Sequence, residues 1–236
     1  MSDWKPKRFW KEATATACDG GFTVMLDARP VRTPAKAPLI VPTMAMAEAI
    51  AAEWDAQEGL IDPRKMPVTR GANAAIDKVR TQRDEVVALL AEYGDSDLLC
   101  YRAAGPEELI ALQQKGWDPM LDWAEAQLGV RLAVGVGVMH VEQAPDALAK
   151  LYTEVAVLDD FALAAAHDLI SLSGSLILAI AVTKGGISVE DAWGLSRLDE
   201  HWQISQWGAD EDAAAAEMVK RAAFFDAARF FLLSTG

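Results

Sequence analysis

The sequence predicts an α+β protein in which a small antiparallel β-rich domain is followed by a helical bundle. Two patterns carry this prediction. The first 42 or so residues hold short alternating segments separated by Gly and Pro, which are typical of strands and hairpins. From Pro42 onward, apolar residues recur almost throughout with the period of a helix. The composition, 52% apolar and 24% charged over 236 residues, is that of a folded globular chain.

The N-terminal region predicts a hairpin. Residues 9–17 are rich in threonine and aromatic side chains, and Asp19-Gly20-Gly21 provides a turn that tolerates positive φ. Residues 22–27 then alternate between apolar and polar faces before a second turn at 28–30. Pro34 and Pro38 favour edge positions for the extended pieces at 31–41, because proline cannot donate to a sheet. We therefore expect a small, mostly antiparallel sheet.

The rest of the chain predicts helices. The first begins at the N-cap Thr43 and stops by Gly59. Further helices are expected at 69–80, 84–93, 106–114, 119–128, 145–158, 161–172, 175–183, 188–204 and 210–233. Three of these start at proline, where a missing N–H costs nothing. Residues 131–140 alternate and predict a short strand.

These patterns divide the chain into three segments. Residues 1–60 form the β-rich domain with its first helix, 61–105 a helical connection, and 106–236 the C-terminal helical bundle.

Charge, hydropathy and cysteine content limit the classes of partner and the cellular compartment that we expect. The formal net charge is −13, from 35 acidic and 22 basic residues, which disfavours nucleic acid. The most apolar stretch, 169–182, is shorter than the roughly 20 residues of a membrane helix and holds three serines, so no membrane insertion is expected. Cys18 and Cys100 are far apart, which fits a reducing compartment such as the bacterial cytoplasm.

Motifs for nucleotide binding are incomplete. Gly135-Val136-Gly137 lacks the third glycine of a dinucleotide fingerprint. Lys184 lacks the glycine that stands six residues before the lysine in a phosphate-binding loop. Ser171 to Ser175 does not match the G-x-S-x-G elbow of serine hydrolases. We therefore predict no nucleotide, no cofactor and no catalytic residue.

The histidines predict no metal site. His140, His167 and His201 include no pair at i,i+4 spacing. Asp159-Asp160 and His167-Asp168 could form a metal or acid–base cluster, but eight positions separate Asp159 from His167, which is about 12 Å along a helix. A partly buried histidine bound to a carbonyl or carboxylate is the favoured interpretation.

Tryptophan usage suggests a recognition surface. Five of the eight tryptophans lie in the C-terminal helical bundle: Trp117, Trp123, Trp193, Trp202 and Trp207. Most are expected to fill the core, but tryptophan is also enriched at interface hot spots. Trp207 is the best candidate, because Gly208 follows it and a helix then opens with Asp210, Glu211 and Asp212.

Short segments along the chain resemble the signatures of one family, in the family's order. In the N-terminal half they are residues 21–24, 27–34, 52–57, 61–63 and 66–67. In the C-terminal half they are residues 97–102, 117–119, 172–175, 196–200, 202–203 and 207–211. Over nearly the whole chain they resemble the F1-ATPase assembly chaperones that bind the alpha subunit.

This resemblance implies a β-rich domain joined to an orthogonal helical bundle, and a chaperone that acts without ATP or a cofactor. It implies the F1-ATPase alpha subunit as partner, bound largely by the C-terminal helices. The family occurs in mitochondria and alphaproteobacteria, and the absence of a convincing presequence favours a bacterial cytoplasmic member over one of the mitochondrial matrix.

The resemblance also suggests roles for individual residues. Candidates for binding the client are Glu211 first, then Asp210 and Asp212, with Trp207 and Gly208. Signature residues expected to fix the fold are Arg29, Arg32, Trp54, Asp62, Arg197, Asp199 and Glu200. The last three are expected to form a helix-face ion pair or a contact between domains. A metal-dependent hydrolase around His167 and Asp168, or an interaction module with another client, stands as the alternative.

Overall fold

The computed structural model describes residues 7–236. Within that range the strands are β1 (Ala13–Cys18), β2 (Gly21–Leu26), β3 (Arg29–Pro30), β4 (Tyr101–Arg102) and β5 (Gly135–Val136). The α-helices are α1 (Met44–Asp55), α2 (Pro67–Asp77), α3 (Arg83–Ala91), α4 (Glu107–Leu128), α5 (Pro145–Ala156), α6 (Asp160–Ser173), α7 (Leu176–Thr183), α8 (Val189–Ser196), α9 (Leu198–Trp207) and α10 (Glu211–Thr235). Short 3₁₀ helices occupy Pro63–Lys65, Val79–Thr81, Glu92–Ser96 and Leu98–Cys100.

The chain divides into two compact units. The first holds the residues up to Arg83 together with Asp159–Ala165 and Arg229–Gly236. The second holds Asp84–Leu158 and Ala166–Ala228. Helices α6 and α10 thus contribute residues to both units. The division into a β-rich domain at 1–60, a helical connection at 61–105 and a helical bundle at 106–236 stays a prediction.

The first unit is built on a three-stranded antiparallel sheet in the order β1-β2-β3. β1 and β2 form the predicted hairpin, with Ala13 opposite Leu26. Its turn contains Gly20 at a φ of 85°, which glycine adopts without steric cost. The next turn lies at Asp27 and Ala28, slightly earlier than the sequence indicated, so that Arg29–Pro30 forms the third strand.

Helix α1 covers this sheet. Thr43 caps it as predicted, because its hydroxyl oxygen accepts a hydrogen bond from the backbone N–H of Met46 at 3.1 Å. The helix packs on β1 and β2. The buried ring of Trp10 meets Trp54 of α1 edge to face, with centroids 5.2 Å apart.

Helix α4 shows that one expected break was wrong. The sequence predicted one helix at 106–114 and a second at 119–128, beginning at Pro119, but α4 is continuous and Pro119 lies inside it. An interior proline costs about 3 kcal/mol. Trp117 and Leu121, on either side of Pro119, are almost fully buried, and each contributes about 1.5–3 kcal/mol. Packing of the helix therefore outweighs the local penalty, while Pro119 itself stays on the exposed side.

The predicted helix at 188–204 is two helices, so that prediction was also wrong. α8 ends at Ser196, and α9 begins at Leu198. Arg197 leaves helical geometry with φ −112° and ψ 15°. Its side chain donates to the carbonyl of Leu172 at 3.2 Å, and this contact fixes the break.

The predicted strand at 131–140 is mostly loop. Only β5 pairs, in parallel with β4, and the N–H of Gly137 donates to the carbonyl of Arg102 at 2.8 Å. The buried Gln143 holds the loop, because its amide bonds both the N–H of Ala133 (2.8 Å) and its carbonyl (3.0 Å). These hydrogen bonds from a side chain take the place of the backbone hydrogen bonds between strands that the alternating pattern predicted.

The α+β class is confirmed by this small antiparallel sheet and the helices that come after it. Among residues 7–236, no helix combines the length and the apolar character needed to cross a lipid bilayer.

Candidate functional site

The residues predicted to bind the client lie at the tip of a helical hairpin in the second unit. We define the hairpin as residues 198–223, which comprise α9, a short turn and the first half of α10. Gly208 makes the turn with a φ of 88°, a left-handed conformation that disfavours other residues. Its N–H donates to the carbonyl of Ile204 at 2.8 Å and so closes α9.

The acidic residues open α10. Asp210 accepts a hydrogen bond from the N–H of Ala213 at 2.8 Å, and thus caps the helix. Glu211 and Asp212 come next in the first turn and are exposed. All three carboxylates lie where the helix dipole favours negative charge. The carboxylate of Asp210 therefore caps the helix while its side chain stays exposed, and the side chains of Glu211 and Asp212 face solvent.

Trp207 is a largely exposed tryptophan, with 76% of its surface accessible. Its ring meets that of Trp202 edge to face, with centroids 5.8 Å apart. Trp202 is half-buried and holds Trp207 in position. A large aromatic ring fixed in an exposed position is typical of an interface anchor.

The hairpin as a whole has no interior. No residue from 198 to 223 is buried, although nearly all are helical. The two helices are joined by a hydrogen bond between His201 and Glu217 at 2.8 Å. Sequence reasoning missed Met218 and Val219, which are 68% and 71% exposed. Periodicity could not find them, because an exposed apolar face has the same spacing as a core face.

Arg197, Asp199 and Glu200 anchor the base of the hairpin. The guanidinium of Arg197 pairs with Glu200 at 3.0 Å and lies 5.2 Å from the ring centroid of Trp193. Asp199 accepts a hydrogen bond from the amide of the buried Gln113 at 2.7 Å. The ion pair thus joins Arg197, between α8 and α9, to Glu200 in the first turn of α9, and Asp199 is not part of it.

The other signature residues lie in the first unit. The guanidinium of Arg29 lies 5.7 Å from the ring centroid of Phe9, and Arg32 donates to the carbonyl of Lys36 at 2.9 Å. Trp54 packs against Trp10. These three contacts lie within the first unit.

Asp62 organises a turn. Its carboxylate accepts a hydrogen bond from the N–H of Arg64 and so caps the short helix Pro63–Lys65. The side chain of Arg64 pairs with it at 2.9 Å. Hydrogen bonding to this guanidinium lowers the pKa of Asp62 to about 2.

The structure uses the residues of the suggested metal cluster in other ways. Asp159 accepts hydrogen bonds from the first N–H groups of α6, and Asp160 pairs with Arg80 at 3.0 Å. His167 contacts Asp168 at 2.9 Å, and this hydrogen bond raises the pKa of the imidazole. Among the described residues, 7–236, no group of three or more His, Cys, Asp or Glu is placed to hold a metal ion.

Asp97 is a buried carboxylate whose role the sequence did not reveal. It is fully buried and accepts hydrogen bonds from the hydroxyl of Ser175 (2.8 Å) and the N–H groups of Leu99 (3.0 Å) and Ile177 (3.0 Å). It therefore caps both a 3₁₀ helix and α7. Burial, opposed by these hydrogen bonds, raises the pKa of Asp97 to about 6.

Burial also affects Cys100. It raises the pKa of the thiol to about 12, with the charge of Asp97 as a further cause. At neutral pH this thiol is therefore protonated and a poor nucleophile.

Known proteins resemble this chain over nearly its whole length. The family described as ATP12 chaperone protein matches residues 7–125. A relative, Protein atp12, mitochondrial, of Schizosaccharomyces pombe, is 26% identical over an alignment of 219 residues that covers 88% of this chain and 75% of that protein. The crystal structure of Atp12 from Paracoccus denitrificans superposes with a TM-score of 0.95 at 50% identity, and covers 98% of this chain and 100% of that one.

Two further solved chains agree. An aspartate-to-lysine mutant of the Paracoccus denitrificans protein gives a TM-score of 0.95 at 49% identity, covering 99% of this chain and 100% of that one. A protein of Agrobacterium tumefaciens gives 0.93 at 44% identity, covering 98% and 87%. The resemblance found in the sequence is thereby confirmed, and the chain belongs to the ATP12 chaperone protein family.

Proposed function

We propose that this protein binds the unassembled alpha subunit of F1-ATPase and shields its subunit interface until the beta subunit replaces it. Family membership carries the proposal, because half of the residues are identical to those of a solved Atp12 over 98% of the chain. The proposal includes action without catalysis, without nucleotide and without a cofactor, in the cytoplasm of a bacterium. The solved relatives from Paracoccus and Agrobacterium support a bacterial member.

The physical task requires only a complementary surface. An isolated alpha subunit would expose apolar area that it later buries against beta, and such area promotes aggregation. A chaperone that covers this area in an equilibrium complex needs no energy source. Release then occurs when beta competes for the same face.

We assign the binding surface to the tip of the hairpin, with Glu211 first, then Asp210 and Asp212, and with Trp207 and Gly208. Two features support the assignment. Trp207 is exposed yet held by Trp202, and the hairpin lacks any buried residue. Arg197, Asp199 and Glu200 hold its base, so we assign them to the fold.

The test is suppression of alpha-subunit aggregation. Isolated alpha subunit from the same organism is diluted from denaturant, and light scattering is measured with and without an equimolar amount of the chaperone, in the absence of ATP. We expect lower scattering and a soluble complex of the two chains on gel filtration. Unchanged scattering, together with recovery of a different client from the native host, would favour the interaction module instead.

A further inference from the structure

The outer side of α10 carries an apolar face that no part of the hairpin covers. The contact between His201 and Glu217 marks the side of α10 that faces α9. Successive helical residues are about 100° apart around the axis. Met218 therefore lies about 100° from Glu217, on the adjoining flank, and Val219 lies about 200° from Glu217, on the side away from α9. Their exposures of 68% and 71% agree with this placement.

Neighbouring side chains extend this face along the helix in two adjacent rows, because residues three and four apart are neighbours on a helix. The rows are Ala215, Met218 and Ala222, and Ala216, Val219 and Ala223. All six are exposed except Ala223, which is half-buried. Isolated exposed apolar residues are common, but here two adjacent rows form one continuous apolar strip that is available for an interaction.

The negative charge around the face favours a partner surface with basic side chains. The hairpin contains six acidic and two basic residues, a net charge of −4. One of the two cations, Arg221, lies over the ring of Phe225 at 4.2 Å, at the far end of the face. Glu211 and Asp212 stand at the head of the two rows. A partner with basic side chains at the border of its apolar area is therefore favoured over an acidic one.

We propose that the outer face of α10, centred on Met218 and Val219, binds an apolar patch of the client that is bordered by lysine or arginine. This inference rests on the proposed function and adds the chemistry of the client surface. The face is roughly 20 Å long and 10 Å wide, about a quarter of the roughly 800 Å² that each partner buries in a typical stable interface. It is thus one part of the contact, and its loss weakens binding without abolishing it.

The test compares the protein with a double variant, Met218→Ser with Val219→Ser. The matched control is Val157→Ser with Leu232→Ser, at positions that are 72% and 67% exposed outside the hairpin. Binding of isolated alpha subunit is titrated for all three proteins. We expect an increase in Kd of about tenfold for the hairpin variant and less than about twofold for the control. Circular dichroism and thermal unfolding should be the same for all three.

A charge variant, Glu211→Gln with Asp212→Asn, tests the basic border. We expect weaker binding at low salt and a smaller loss of affinity as salt is raised, because fewer screened charge pairs remain. Unchanged or tighter binding by this variant would show that the client patch is not basic.

The outcomes separate this inference from the proposed function. If wild type does not bind alpha subunit, both are overturned. If wild type binds and the Met218 and Val219 variant binds equally well, only the assignment of the α10 face is wrong. A dimer of the wild type in sedimentation that becomes monomeric in this variant would assign the face to a second copy of the chain, and would also overturn it.

Discussion

Two parts of the second unit differ in burial: polar groups around Asp97 are buried and hydrogen-bonded, whereas the hairpin leaves its apolar side chains exposed. Around Asp97, a buried carboxylate bonds to two backbone N–H groups and a hydroxyl, and every residue of α7 from Leu176 to Ala181 is buried. In the hairpin, no residue is buried, and apolar side chains such as Trp207 are exposed. Buried and fully hydrogen-bonded groups therefore concentrate in the first region, and exposed apolar side chains in the second.

The largest expected effect is on the buried side of this comparison. Asp97→Ala leaves the hydroxyl of Ser175 and the N–H groups of Leu99 and Ile177 without a partner. Each unsatisfied donor costs about 1–3 kcal/mol. We expect a loss of about 3–5 kcal/mol in the free energy of unfolding, measured by urea denaturation.

A matched control uses an exposed aspartate in the same unit. Asp168 pairs with its neighbour His167, and both side chains are exposed, so Asp168→Ala should change stability by about 0–1 kcal/mol. Equal effects of the two substitutions would show that Asp97 does not hold the region together.

The second prediction concerns pH. The pKa of Asp97 is about 6 in the folded protein, above the ordinary value of 3.8 that it has when unfolded, so between these values the folded state binds more protons. Stability from this group is therefore greatest below the unfolded pKa and declines as pH rises to about 6. The difference between the two pKa values corresponds to about 3 kcal/mol.

The measurement is the stability difference between wild type and Asp97→Asn from about pH 4 to about pH 7, which brackets the two pKa values, because the asparagine cannot titrate. We expect wild type to lose stability relative to the variant over this range. A flat difference would mean that the hydrogen bonds at Asp97 offset its desolvation.

Local signals predicted much of the fold. The hairpin at Gly20 and the cap at Thr43 depend on neighbouring residues, and both were found where the sequence placed them. The helix break at Pro119 was predicted wrongly, because burial of Trp117 and Leu121 outweighs the cost of a proline inside a helix. Distant contacts, such as that from Arg197 to Leu172, give no sequence signal.

The candidate surface was predictable only in part. The signature at 207–211 drew attention to the tip of the hairpin, where glycine and an acidic helix start are local features. Met218 and Val219 were missed, because an apolar residue on a helix is assigned to the core unless the fold shows that nothing covers it.

The third prediction tests the exposed side. Glu211→Lys should weaken capture of alpha subunit by about 2 kcal/mol or more, because a reversed charge at an interface meets like charge. Reversal near a helix start should lower folding stability by only about 1–2 kcal/mol. Pull-down and thermal unfolding are measured on the same variant.

The control for Glu211→Lys is Asp146→Lys, which reverses an exposed acidic residue in the first turn of α5. It should have the same modest effect on folding and none on capture. If the Glu211 variant folds and captures the client as well as wild type, this residue does not bind the client.

The smallest expected effect on stability tests whether the hairpin opens independently of α7. His201→Ala removes the hydrogen bond to Glu217, whose side chain is 27% exposed while that of His201 is 47% exposed. An exposed pair contributes about 0–1 kcal/mol, so global unfolding should hardly change.

The hairpin helices, however, share no buried residue that could replace this bond. We therefore expect faster amide hydrogen exchange at residues 199–219 and unchanged exchange in α7, since local opening depends on the contacts within each region. If exchange in α7 rose in parallel with that of the hairpin, the two regions would open together, and the contrast between a stable base and an independent binding surface would be wrong.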